Sequence, residues 1–376
     1  MSVCIREKRS LYRLILLSCL FCFLLMPGGC LASGLWITLP DGEPAPAMPE
    51  SSSGDFTGDL VLTFLGDCTL GGEKSKAGSS LSFAKVIEEN GPAFPFRGLL
   101  ALTEQDDLTV ANLEVVLSDR TLKKEKKKFC FIGKTDYTQI LKLGSIESVT
   151  LANNHTHDYG KEGYADTCEA LEAAKIGWVG TDACAVWQSD DGIRIGFLGV
   201  NYSLTGNYFK RFAAQAERLK ELGCTILITL MHAGEEYSYS PPSPYQAQIV
   251  DRAIQVGSHL IIGHHPHVIQ GLTIQQGVPV VYSLGNCSFG GTTFAKDHDA
   301  VAVQAKLHIL KGALREIRMT FHPISITSDT RHNNYSPRLL SGEEAERVLK
   351  KMKKTTGAEP DAFNDDGSAE FVIPVN

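Results

Sequence analysis

From position 60 onward, apolar stretches of strand length alternate with segments in which apolar residues return every three or four positions. Leu60–Leu65, Leu108–Ala111, Ser148–Ala152, Ile193–Val200, Cys224–Met231, His259–Ile262 and Val278–Leu284 have the length and β-branched content of strands. The segments between them predict helices over Ser80–Glu89, Lys161–Ala174, Phe209–Leu222 and Pro244–Val256. Strands alternating with helices make an α/β fold. Ile226, Leu227, Ile228 and Leu230 are apolar on both alternate positions, so both faces of the sheet are covered. Val301–Phe321 alternates as antiparallel strands do, and Ser341 with Glu344 predicts a capping box opening a helix that runs to about Lys354.

The amino end follows another pattern. Arg6, Lys8, Arg9 and Arg13 precede the apolar run Leu14–Met26, which is shorter than the ~20 residues a membrane span needs and has the layout of an export signal. Pro27, Gly28 and Gly29 end it before Cys30, Leu31, Ala32 and Ser33. Three outcomes stay open: cleavage and lipidation at Cys30, cleavage near Ala32 or Ser33, or an uncleaved anchor. Pro40–Gly58 is rich in Pro, Ser, Gly and acids and is expected to be a tether. The expected organisation is therefore a signal over 1–33, a flexible linker over 34–58, the α/β domain over 59–325, and a C-terminal extension with one helix over 326–376. Such a chain is exported and works at the cell surface or the outer face of the membrane.

Composition narrows the function. With 43% hydrophobic and 21% charged residues the chain can bury a large core. Its formal net charge of -7 excludes nucleic-acid binding by bulk charge. A polyanion must meet a local patch instead, and Lys123, Lys124, Lys126, Lys127 and Lys128 with Arg120 form either such a patch or a solvated loop. Beyond the targeting segment, Cys68, Cys130, Cys168, Cys184, Cys224 and Cys287 include no CxxC pair and read as buried free thiols.

Polar residues of a particular kind gather where the apolar strands end. The first strand ends at Gly66-Asp67, the next at Asn112-Leu113-Glu114, and the third at Asn153-Asn154-His155-Thr156-His157-Asp158. Later ones end at His232-Ala233-Gly234-Glu235, at Gly263-His264-His265-Pro266-His267, and at Gly285-Asn286. In α/β sheets ligands bind at the carboxyl ends of strands, so these groups are expected to converge on one rim. Carboxylates, an amide and imidazoles are the ligands of a divalent cation such as Mn, Fe, Zn or Mg. Two cations about 3.5 to 4 Å apart supply an acidified water and a clamp on a phosphoryl oxygen.

These residues resemble the CapA family of poly-gamma-glutamate capsule proteins, whose domain is similar to the calcineurin-like metallophosphoesterases. The likeness runs from about Leu60 to Phe289 and is carried by Phe64-Leu65-Gly66-Asp67, Asn112-Leu113-Glu114, Asn153-Asn154-His155 with Asp158 and Gly160, His232 with Gly234 and Glu235, Gly263-His264-His265-Pro266-His267-Val268, and Tyr282-Ser283-Leu284-Gly285-Asn286. The resemblance implies a β-sandwich flanked by helices in α/β/β/α layers. It also implies metal ligation by Asp67, by a bridging Glu114, and by Asn154, His232, His265 and His267. His155 is implied as acid or transition-state donor with Asp158 orienting it. Asn112, His264, Glu235 and Asn286 become candidate substrate or supporting groups.

The departures from that pattern matter too. Thr69 stands where the phosphoesterase Asp-x-His motif has its histidine, Gly72 where relatives commonly carry Arg, and Cys287 where they often have Phe. Two functions from different classes follow. One is a metal-dependent hydrolase in the synthesis, export or anchoring of an anionic polymer such as poly-gamma-glutamate, working beside membrane-bound synthase subunits. The other is a noncatalytic scaffold that binds the polymer or the synthase and keeps a relic rim. A nucleotide hydrolase would share the rim, but the sequence offers no base-stacking domain.

Overall fold

The computed structural model describes residues 34–49 and 53–375, and the expected export signal lies outside them. In chain order the strands are β1 (Leu35–Pro40), β2 (Gly58–Thr69), β3 (Leu108–Leu113), β4 (Val116–Leu117), β5 (Ile132–Gly133), β6 (Ser148–Thr150), β7 (Gly177–Val179), β8 (Ala183–Gln188), β9 (Arg194–Asn201) and β10 (Ile226–His232). They continue with β11 (Leu260–His264), β12 (Ile269–Gln275), β13 (Val278–Leu284), β14 (Asn286–Phe289), β15 (Asp299–Leu310), β16 (Ala313–Ser325), β17 (Arg338–Leu339), β18 (Ala362–Phe363) and β19 (Ala369–Pro374). The helices are α1 (Phe83–Asn90), α2 (Leu100–Thr103), α3 (Thr138–Leu143), α4 (Gly160–Ala173), α5 (Gly206–Glu221), α6 (Pro244–Gln255) and α7 (Gly342–Lys353).

Two large sheets result. One is ordered β1-β8-β9-β10-β11-β13-β12 and the other β18-β19-β16-β15-β2-β3-β6-β7, with β14 added on β2 and β17 on β16. Alternation along the central strands explains how they stack. Leu62 and Phe64 of β2 share one buried cluster with Phe197, Ile228 and Ile262 of the other sheet, which is the layer between the sheets. Their neighbours Leu65, Ala111 and Val149 are buried with Phe83, Ile140 and Leu171 of α1, α3 and α4. On the far side, Leu198, Leu227 and Ile261 are buried with Phe212, Leu219 and Ile249 of α5 and α6. Helix, sheet, sheet and helix are therefore the four layers, as expected. At about 1.5–3 kcal/mol for each large apolar side chain removed from water, these three clusters are what hold the layers together.

Three expectations need correction. Leu35–Pro40 does not belong to a tether: it pairs antiparallel with β8, from Leu35 opposite Gln188 to Pro40 opposite Ala183. Its Leu-Trp-Ile-Thr-Leu composition suits a half-buried edge strand better than solvent. The C-terminal extension is more than one helix, because β19 pairs with β16 and places Phe371 and Ile373 in the core between the sheets. The capping box at Ser341 does not form. Glu344 gives both carboxylate oxygens to Arg338, at 2.8 and 2.9 Å, a charged pairing stronger than a neutral backbone cap. The box forms instead at Ser243 and Gln246, opening α6.

Strand polarity sets the site. β2, β3, β6 and β7 run parallel, as do β9, β10, β11 and β13. Between the two sets the chain passes from β13 through Gly285 into β14, which pairs parallel with β2 so that Asn286 lies opposite Asp67. Gly285 adopts φ 78°, and a Cβ on Gly66 would lie 2.1 Å from the Gly285 carbonyl oxygen. Only glycine permits that crossing. It stitches the two sheets together at the carboxyl ends of their strands.

Candidate metal centre

Cross-strand register assembles the centre. Asp67 on β2 is opposite Asn286 on one side and Asn112 on the other, while His232 on β10 is opposite His264 on β11. Asp67, Glu114 and His232 each offer a ligand atom within 4.8 Å of the other two, and all three are buried. Asn112 Nδ2 donates to Asp67 Oδ1 at 2.7 Å and lies 3.2 Å from His232 Nδ1. His232 Nε2 is 3.1 Å from Glu114 Oε1, 3.0 Å from Asn154 Oδ1 and 3.1 Å from His265 Nδ1. His267 Nδ1 lies 3.1 Å from Asp67 Oδ2 and 2.9 Å from Asn286 Oδ1, and the His265 backbone N–H donates to Asp67 Oδ2 at 3.3 Å. His265 and His267 hold φ angles of 98° and 57°. Such left-handed conformations cost about 1–3 kcal/mol each and are kept where neighbouring structure enforces them.

A second group adjoins the first. His155 Nδ1 is 2.8 Å from Asp158 Oδ2, which also accepts the Phe131 N–H at 2.6 Å. Asn153 donates to Asn112 Oδ1 at 3.1 Å and to the Leu113 carbonyl at 2.8 Å, while its own Oδ1 accepts the His155 N–H at 3.0 Å. The aromatic rings of Phe131 beside His155, Phe289 beside His267 and Tyr202 beside His265 stand around both groups.

The expected ligands Asp67, Glu114, Asn154, His232, His265 and His267 thus lie in one contact network, with Asn112 and Asn286 supporting it. His264 is buried behind them, its Nε2 3.3 Å from the Leu65 carbonyl oxygen. Glu235 is exposed on the loop after β10, and His157 is exposed on the turn before α4. Neither joins the cluster, because both are turned to solvent. Thr69, in place of a histidine, is fully buried and its Oγ1 has no partner.

Both carboxylate oxygens of Glu114 are buried without a hydrogen-bond partner, although His232 Nε2 is near one of them. An unsatisfied buried carboxyl is expensive, and a cation is the partner its surroundings suit. The titration behaviour agrees. Burial and the neighbouring Asp67 charge push the Glu114 carboxyl well above its ordinary value. Burial also acts to raise Asp67, but hydrogen bonding and charge from His267 outweigh it and hold Asp67 below the ordinary range. Burial would lower His267, yet the bond to Asp67 and the charge of Glu114 lift it to about 9. Burial and the crowding of imidazoles press His232 well down and His265 to about 4. The His267 proton thus balances the Asp67 carboxylate beside it. These residues fit a divalent cation.

The family model for the bacterial capsule synthesis protein PGA_cap matches residues 61–290. The chain belongs to that family. A relative in Bacillus anthracis, the capsule biosynthesis protein CapA, is 26% identical over 63% of this chain and 62% of its own length, so the match spans less than two thirds of it. The PGA biosynthesis protein CapA of Bacillus subtilis is 26% identical over 72% of this chain and 73% of its own length. Among solved structures, the calcineurin-like phosphoesterase YfkN from Bacillus subtilis aligns with 79% of this chain and 97% of its own at 15% identity and a TM-score of 0.42. A purple acid phosphatase from yellow lupin aligns with 82% of this chain and 58% of its own at 11% identity and a TM-score of 0.37.

Every cluster residue of this PGA_cap protein lies within the matched span. Sequence reasoning placed Asn153 in the rim without a role and missed that it ties Asn112 to His155. It also left Lys127 in an undifferentiated basic run, where only the partners of its ammonium distinguish it.

Proposed function

We propose that the chain takes part in making, exporting or attaching an anionic capsule polymer of the poly-gamma-glutamate type, as a cation-dependent hydrolase of a phosphoester or related ester. Its membership of PGA_cap and the printed names of its relatives support the polymer. The observation that carries the chemistry is the buried Glu114 carboxyl, without a hydrogen-bond partner and grouped with Asp67 and His232. In this reading Asp67 and His267 would hold one cation, His232, Asn154 and His265, which meet one another, would hold a second, and Glu114 would be available to either. The ion is Mn, Fe, Zn or Mg, and a bound pair supplies charge neutralisation at a phosphoryl oxygen and an acidified water.

The protein's own groups have separable tasks. Asp158 engages His155 Nδ1, which leaves Nε2 facing the substrate as the atom that holds or moves a proton. Burial keeps His155 below its ordinary value despite Asp158, so near neutral pH it begins as an acceptor and must gain a proton before it can assist a leaving group. Asn112 and Asn286 orient Asp67 and His267.

The reading includes export directed by residues 1–33, retention at the outer face of the membrane, with Cys30 as a lipid attachment point, and work beside membrane-bound synthase subunits. Hydrolysis of a generic phosphomonoester or phosphodiester with added Mn²⁺ tests the enzyme. Wild type is expected to be active and Asp67→Ala and His265→Ala are not; equal rates in all three discard the hydrolase. The noncatalytic scaffold is favoured by one specific observation, Thr69 in place of a histidine. Polymer binding by protein that takes up no cation would select it.

A further inference from the structure

Lys123, Lys124, Lys126 and Lys128 are exposed, whereas the side chain of Lys127 keeps only 33% of its accessible surface. Its ammonium turns inward. Lys127 Nζ donates to the Asn154 backbone carbonyl at 2.6 Å, forms an ion pair with the fully buried Asp158, and lies 3.4 Å from His155 Nδ1. The surrounding backbone reinforces this contact, because the Glu125 N–H donates to the Asp158 carbonyl at 2.8 Å and the Phe131 N–H to its carboxylate. Residues 125–131 therefore grip the 154–158 turn at several points, and within that segment it is Lys127 that holds the Asn154 backbone carbonyl.

Asn154 has two ends with two tasks. Its carbonyl is held by Lys127, while its side-chain Oδ1 reaches to 3.0 Å from His232 Nε2. We infer that Lys127 is a positioning residue for the cation site: by fixing the Asn154 backbone and the Asp158 carboxylate, it delivers the Asn154 side chain to the half of the site that His232 and Glu114 begin. This inference rests on the cation reading proposed above. A lysine suits the position because one compact ammonium can serve two acceptors on a turn while its stem remains packed. Partners that orient metal ligands typically change metal affinity about 10–100-fold when removed.

The test counts Mn²⁺ on the purified full-length protein by equilibrium dialysis, with folding checked by circular dichroism and thermal melting. Wild type is expected to take up two equivalents. Lys127→Met is expected to keep one and bind the other about 10–100-fold more weakly, Lys127→Arg to recover it, and the exposed neighbour variant Lys126→Met to match wild type. Should Lys127→Met fold poorly, Lys127→Leu, which likewise removes both the donor and the charge, is read in the same way. Unchanged binding of both equivalents in the folded Lys127 variant overturns the inference and leaves the cation reading standing. Equal weakening by Lys126→Met also overturns it, since the run would then act by diffuse charge. A wild type that binds no Mn²⁺ overturns both.

Discussion

At the scale of a residue, the centre depends on one carboxyl that the fold buries and does not satisfy. Asp67 has Asn112, His267 and a backbone N–H around it, whereas neither oxygen of Glu114 accepts a hydrogen bond. On the proposed reading, Glu114 costs stability in the cation-free protein and would offset that cost once a cation is bound. Glu114→Gln is expected to melt at or above the wild-type temperature in chelator, because a neutral amide replaces a carboxyl whose charged form burial and the Asp67 charge disfavour. With excess Mn²⁺, wild type should gain about 2.7 kcal/mol at a free concentration a hundredfold above its Kd, and the variant should gain little. Paired thermal melts with and without Mn²⁺ measure both. A variant that is markedly destabilised in chelator would show that Glu114 supports the fold.

At the scale of an element, what the sequence revealed depended on burial. β2, β3, β10 and β13 were legible because their apolar runs are covered on both faces, and the residues closing them were legible as a site because strand ends in α/β sheets converge. β14 was not, since Asn-Cys-Ser-Phe carries no strand pattern and exists as a strand only where Gly285 lets it reach β2. β8 was hidden by its small and mixed residues, Ala-Cys-Ala-Val-Trp-Gln, and Lys127 by neighbours of the same charge that do face water. The crossing itself can be tested. Gly66→Ala places a methyl 2.1 Å from the Gly285 oxygen and should cost about 1–3 kcal/mol or more, with weakened Mn²⁺ binding as Asn286 is driven from Asp67. A variant with the melting temperature and Mn²⁺ affinity of wild type would show that β14 can yield without cost.

The opposite ends of the same strands carry a pH effect independent of the centre. The Thr109 N–H at the start of β3 donates to Glu147 at 2.8 Å, and burial, despite this bond, raises the Glu147 carboxyl to about 8. The unfolded chain releases that proton near the ordinary glutamate value, while the folded chain keeps it. Between those two values the folded state binds the extra proton, so stability falls as pH rises and the full loss is reached above about pH 8. Glu147→Gln keeps an acceptor for Thr109 and removes the titration. At about 1.4 kcal/mol per pKa unit, with allowance for the part of the side chain still in contact with water, the variant should exceed wild type by roughly 2–4 kcal/mol at pH 9 and match it near pH 4.5. Urea unfolding at the two pH values checks this, and a constant difference between the proteins would assign the effect to packing.

At the scale of the whole molecule, the C-terminal extension is part of the body that holds the site. Val348 and Met352 of α7 and Phe371 and Ile373 of β19 are buried in the layer between the sheets, and β19 pairs with β16 over its length. α7 also reaches toward the centre: Lys351 bonds Asp297 at 2.8 Å and Asp299 at 2.6 Å, Arg347 bonds Asp299 at 2.7 Å, and Asp297 accepts Tyr239 from the loop after β10 at 2.7 Å. Asp297 and Asp299 are largely buried in these pairs, which fix the position of α7 more than they add to its stability. The buried side chains decide the outcome. Four of them at about 1.5–3 kcal/mol each amount to roughly 6–12 kcal/mol, which matches the entire stability of about 5–15 kcal/mol typical of a folded domain. A chain ending at position 326 retains every residue of the centre and the whole span that marks the family, yet it is expected to show no cooperative melt and no stoichiometric Mn²⁺ uptake. A truncated protein melting within a few degrees of the full chain would make the extension an appendage, and the centre would then be supported by the first 326 residues alone.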